Sequence, residues 1–229
     1  MDTKGLLDQL LKSGSDLLQG TKGERSDTSS SSGSTLDNLM AGMGGGALGA
    51  GAIGLLLGNK KVRKLGGKAI TYGGLGALGV VAYKAYQTWQ QGQAASAQPE
   101  PRTVDRVPEP EAERHSGAVL RALIAAAKAD GHIDERERQL IDGEIAKLTH
   151  DPELRRWFDQ ELHKSLDPAD VARAAETPEM GAEMYLASLL MVDEQNFMER
   201  AYLDELARQM DLPPDLKVEL ERQAAIQTG

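Results

Sequence analysis

The chain has 229 residues, is 40% hydrophobic and 27% charged, and carries 25 glycines, no cysteine and a net charge of −9. The length allows one substantial domain with appendages, or two small domains. Without cysteine there is no disulfide framework, thiolate zinc site, iron–sulfur cluster or cysteine nucleophile. The charge is split: residues 1–91 hold ten Lys/Arg against six Asp/Glu, and residues 92–229 hold sixteen against twenty-nine. A net −13 on the larger part repels phosphates and argues against nucleic-acid binding.

Residues 1–19 place Leu6, Leu7, Leu10, Leu11, Leu17 and Leu18 on one helical stripe. This predicts a short amphipathic helix lying on a membrane or on a partner. Asp2 and Asp8 rule out a secretory signal. Residues 20–38 are Ser/Gly-rich without apolar periodicity and read as a flexible linker.

Leu39 to Gly58 is a run of twenty uncharged residues, eight of them glycine. As a helix it is about 30 Å long, the thickness of a bilayer core. Gly42, Gly46, Ala50, Gly54 and Gly58 form a small-xxx-small ridge of the kind that lets membrane helices self-associate. Lys60, Lys61, Arg63, Lys64 and Lys68 follow, and then a second uncharged run from Ala69 to Tyr83. Tyr83, Tyr86 and Trp89 at its end match the aromatic flank of a membrane interface. Residues 39–91 therefore predict a membrane-associated segment of one or two spans, with homo-oligomerisation through its glycines. The basic connector favours the cytoplasmic face. Residues 92–115, with Pro99, Pro101, Pro108 and Pro110, predict a semi-extended linker.

Residues 116–229 show no period-two alternation and predict an all-α bundle. Asp151-Pro152, Asp167-Pro168 and Thr177-Pro178 each pair an N-cap residue with proline at the first helical position. These breaks predict seven helices near 116–130, 134–148, 152–164, 168–175, 178–193, 196–210 and 214–226.

Two turns in this domain are alike. Asp130-Gly-His-Ile-Asp134-Glu-Arg-Glu137 and Asp193-Glu-Gln-Asn196-Phe-Met-Glu199 each follow an apolar helix and open another with Asp/Asn-x-x-Glu. One reading is a pair of capping boxes. The other is a hard-cation site, because Asp130 and Asp193 sit where a helix C-terminus disfavours negative charge. The spacing is not that of an EF-hand. His132 is read as a solvated turn residue, and His115, His150 and His163 form no His-x-x-x-His pair. Neither a phosphate loop nor a nucleophilic triad is present, so no enzyme activity is expected.

The run Leu123–Glu137, with Tyr185-Leu-Ala-Ser-Leu-Leu and Glu199-Arg-Ala-Tyr-Leu-Asp-Glu-Leu-Ala207, resembles the tellurite-resistance TerB-like domain. More narrowly, the chain is similar to YebE-type inner-membrane proteins of Gram-negative bacteria, which place a glycine-rich apolar segment before that domain. The resemblance implies a seven-helix domain whose acids chelate a metal, in an envelope-stress context. The motif carries over to Asp130, Asp134, Glu137, Asp193 and Glu199, with Asn196 replacing an acid. Calcium or magnesium is expected in preference to zinc. The other candidate partners are a lipid membrane and an unidentified protein.

Overall fold

The computed structural model describes residues 2–9, 74–93, 99–129, 135–192 and 196–228. The Leu39–Gly58 run, the 20–38 linker and the basic cluster lie outside the described residues. Described residues are helical or irregular, with no strand among them. The all-α expectation holds. Residues 3–9 are helical, followed in the chain by α1 (Gly74–Gly92), α2 (Glu109–Ala127) and α3 (Glu135–Leu148). Then come α4 (Pro152–His163), α5 (Pro168–Ala172), α6 (Pro178–Met191), α7 (Phe197–Gln209) and α8 (Pro214–Thr228).

The helix starts follow the predicted cap chemistry. Asp151 accepts hydrogen bonds from the Glu153 and Leu154 amides at 2.8 and 3.4 Å, and Asp167 accepts from Ala169 at 2.9 Å. Thr177 accepts from Met180 at 3.2 Å. In each case the side chain satisfies an amide that has no intrahelical partner, and the following proline has no amide to satisfy.

The bundle is organised around α6. Every residue from Met180 to Leu189 is buried, so α6 is apolar on all sides, as a helix enclosed by others must be. It packs against α1, α2, α7 and α8. Tyr185 on α6 donates to Glu221 on α8 at 2.8 Å, tying the last helix to the centre. Val119, Leu120, Ile124, Ile141, Ile145, Phe158, Leu162, Leu203 and Leu206 join the same core.

Two expectations are corrected here. The second apolar run, from Gly74 onward, is not a membrane span. It is the first part of α1, which packs on α6 and α8 with Leu75, Leu78, Ala82, Ala85 and Tyr86 buried. No helix among the described residues is long and apolar enough to cross a membrane. Its aromatics are used within the chain: Tyr86 and Trp89 meet edge to face at 5.2 Å, and the Arg106 guanidinium lies 3.7 Å above the Tyr83 ring. The proline-rich stretch is not simply a spacer either. Thr103 and Val104 are buried, and α2 begins at Glu109, seven residues before the predicted start.

Gly79 serves this packing. A Cβ on Gly79 of α1 would sit 2.6 Å from Asp105 Oδ1 and 2.9 Å from Val104 Cγ1, so its absence lets the 103–105 turn close on the helix. Gly76, one turn earlier, faces open space. Gly76→Ala should therefore stabilise the fold by up to about 1 kcal/mol through helix propensity. Gly79→Val should destabilise it by about 1–3 kcal/mol through overpacking. Urea unfolding of both variants checks the contrast, and equal effects would remove the close-approach explanation.

Candidate functional site

The acidic turns lie at the ends of α2 and α6, and the relative direction of these helices decides whether the turns are neighbours. His115 Nδ1 on α2 lies 2.5 Å from Glu183 Oε2 on α6. Further along, Ser188 Oγ on α6 donates to the Ala122 carbonyl on α2 at 3.5 Å. Both contacts advance toward the C-termini, so the two helices run parallel. Their last residues, Ala127 and Met191, therefore come to the same end of the bundle, and both acidic turns leave from it.

Of the predicted ligands, Asp130, Asp134 and Asp193 lie outside the described residues, as does the side chain of Glu137. Glu199 is described. It is buried, and its Oε1 accepts from Asn196 Nδ2 at 2.9 Å, while Asn196 Oδ1 accepts from the Met198 amide at 2.9 Å. In the second turn, then, Asn196 and Glu199 brace the start of α7, close to the capping-box arrangement. Among the described residues no three His, Asp or Glu side chains are grouped to hold a metal ion.

Lys128, the C-cap of α2, stands two residues before Asp130. Its Nζ donates to the carbonyls of Glu161 and Lys164 at 2.9 and 2.7 Å, satisfying the end of α4. Burial pushes its ammonium below the ordinary lysine range, against the pull of Glu161. Glu161 itself is buried and accepts from Arg121 at 2.9 Å and Lys164 at 2.6 Å. This basic group locks α2 to α4 immediately before the first acidic turn.

The residues that sequence reasoning missed lie deeper. Glu183 and His115 are both fully buried. Glu183 Oε1 also accepts the Val104 amide at 2.6 Å, so one carboxylate joins α6, α2 and the 103–105 turn. Burial pushes the Glu183 carboxyl up, opposed by its hydrogen bond to His115. Beyond the ring, His115 Nε2 lies 4.0 Å from Glu111 Oε1 and makes no hydrogen bond. The Arg102 guanidinium holds the Glu111 carboxyl below the usual range. One signal was available in the sequence: Glu183 is the sole charge between Met180 and Val192. A carboxylate inside such a run is almost never buried without a partner.

Residues 42–224 match the family described as "Protein of unknown function (DUF533)". The chain belongs to this family. DUF533 is TerB-like, in keeping with the resemblance carried by the two turns. A Yersinia enterocolitica protein described as "Uncharacterized protein in ampR 5′region" is 32% identical over 104 residues, which is 45% of this chain and 75% of that one. No solved structure matches this DUF533 chain.

The buried pair gives this DUF533 protein a measurable pH dependence. With its carboxyl held up by burial, the folded state retains a proton on Glu183 that the unfolded chain releases. That contribution to stability is complete below the ordinary carboxylate range and is lost as pH rises through the raised folded value. Glu183→Gln should flatten this part of the thermal-unfolding profile above pH 4. His115→Ala leaves the carboxyl buried beside a cavity, without its side-chain partner, and should cost about 2–5 kcal/mol. A loss below about 1 kcal/mol in urea unfolding would show that the pair does not organise the core.

Proposed function

We propose that this protein is a membrane-associated, non-enzymatic TerB-like module that holds a divalent cation at its acidic turns. The cation is calcium or magnesium in preference to zinc. The setting is the bacterial inner membrane, in envelope-stress or tellurite-resistance physiology. One observation carries the metal reading: α2 and α6 run parallel, so the two turns leave from one end of the bundle. Two helix C-termini side by side concentrate partial negative charge. Asp130, Asp134, Glu137 and Asp193 add carboxylates next to it in the sequence. Oxygen donors of this kind suit a hard cation, and without cysteine no thiolate competes for it. Glu199, the fifth candidate ligand, accepts a hydrogen bond from Asn196 at the start of α7. The membrane reading rests on the uncharged Leu39–Gly58 run with its basic flank, most of which falls inside the family match.

A second reading has its own observation. Phe197 and Met198, at the start of α7, are 79% and 60% exposed. An apolar pair presented beside the second turn suits a protein partner, with self-association through the glycine ridge and no metal. Calorimetric titration of the full chain separates the two. Saturable binding of calcium or magnesium is expected, falling at least tenfold in Asp130→Asn/Asp193→Asn. Unchanged affinity in that variant, or no binding to the wild type, would overturn the metal reading and favour the second.

A further inference from the structure

The N-terminal segment is fastened to the bundle. The Glu113 carboxylate of α2 accepts hydrogen bonds from the Thr3 amide and hydroxyl and from the Lys4 amide, the last at 3.1 Å. The Thr3 hydroxyl lies 3.1 Å from the Glu113 carbonyl as well. Leu6 and Leu7 are buried in the common core. The stripe expected to lie on a membrane or a partner thus has these two leucines on the chain's own bundle. At the other end, Leu75 and Leu78 fix the start of α1 in the same core. Residues 9 and 74 therefore belong to one folded body.

This restricts how the intervening chain meets a bilayer. Between these anchors there is one uncharged run of membrane-spanning length, Leu39–Gly58. Residues 10–38 carry seven charges, and residues 59–73 carry five Lys/Arg, so neither supplies a second span. From Gly74 onward the second apolar run belongs to α1. A single crossing would leave residues 9 and 74 on opposite faces, which the shared core forbids. Two crossings need about forty apolar residues, twice the number available. We propose that the protein meets the bilayer from one side: residues 9 and 74, both held in the bundle, stay on the same face of the membrane. The Lys/Arg excess of residues 60–68 favours the cytoplasmic side for that face. This inference rests on the membrane reading above and replaces a transmembrane anchor with a one-sided one.

The absence of cysteine makes the test direct. Ser15→Cys and Thr71→Cys are introduced singly in the full chain, which is produced in bacteria. Membrane fractions are then treated with a membrane-impermeant maleimide, as intact spheroplasts and as inverted vesicles. Both cysteines should react in inverted vesicles and neither in spheroplasts. Reaction of one cysteine in each preparation would overturn the one-sided topology while leaving membrane association intact. Reaction of both in spheroplasts alone would keep the topology and overturn the cytoplasmic face. Recovery of the chain entirely in the soluble fraction would overturn the membrane reading and this inference with it.

Discussion

The fold depends on a carboxylate that an apolar helix has to accommodate. Because α6 is enclosed on all sides, Glu183 has no route to water and must be satisfied internally. His115 and the Val104 amide do this from two different elements. The requirement fixes the register of α2 against α6, since a shift by one residue on either helix would separate the pair. It also draws the 103–105 turn onto α1, where only glycine at position 79 leaves room. Apolar packing alone would tolerate several registers; one buried hydrogen-bonded acid selects among them.

The Ser188–Ala122 contact, further along both helices, gives α2 and α6 their parallel course, and from that course follows the grouping of the two helix ends. The ends of this pair are differently equipped. Toward the N-termini lie the buried acid, its histidine and the Arg102–Glu111 pair. Toward the C-termini, Lys128, Arg121 and Lys164 gather around Glu161 and fasten α4 to α2. Among the polar groups at the centre, burial raises the Tyr202 phenol, with the Ser188 hydroxyl pulling the other way.

What could be read from the sequence is what local chemistry decides. Asp151, Asp167 and Thr177 announce their helices because a cap needs only a short side chain and the next few amides. Leu120, Ile124, Phe158, Leu186 and Leu206 declare their burial through helical spacing. The Gly74–Gly92 helix misleads for a physical reason: an uncharged run removed from water has the same composition whether lipid or protein surrounds it. Tyr83 and Trp89 look like interface aromatics for a similar cause, since a ring with one polar edge suits any boundary. The His115–Glu183 pair joins residues 68 apart in sequence, beyond the reach of any periodicity. The lone acid in α6 was visible, its partner was not. Asn196 was legible as a cap and behaves as one.

The Glu113 clasp on Thr3 and Lys4 also has a consequence for the order of synthesis. A ribosome releases residues 3–9 and the whole Leu39–Gly58 run well before it has made Glu113. The amphipathic start therefore emerges without its docking surface, ahead of the uncharged Leu39–Gly58 run. Closing so long a loop later costs little more than closing a shorter one, because the entropic cost grows only with the logarithm of its length. Residues 3–9 can therefore take their place on the bundle only after α2 has been made.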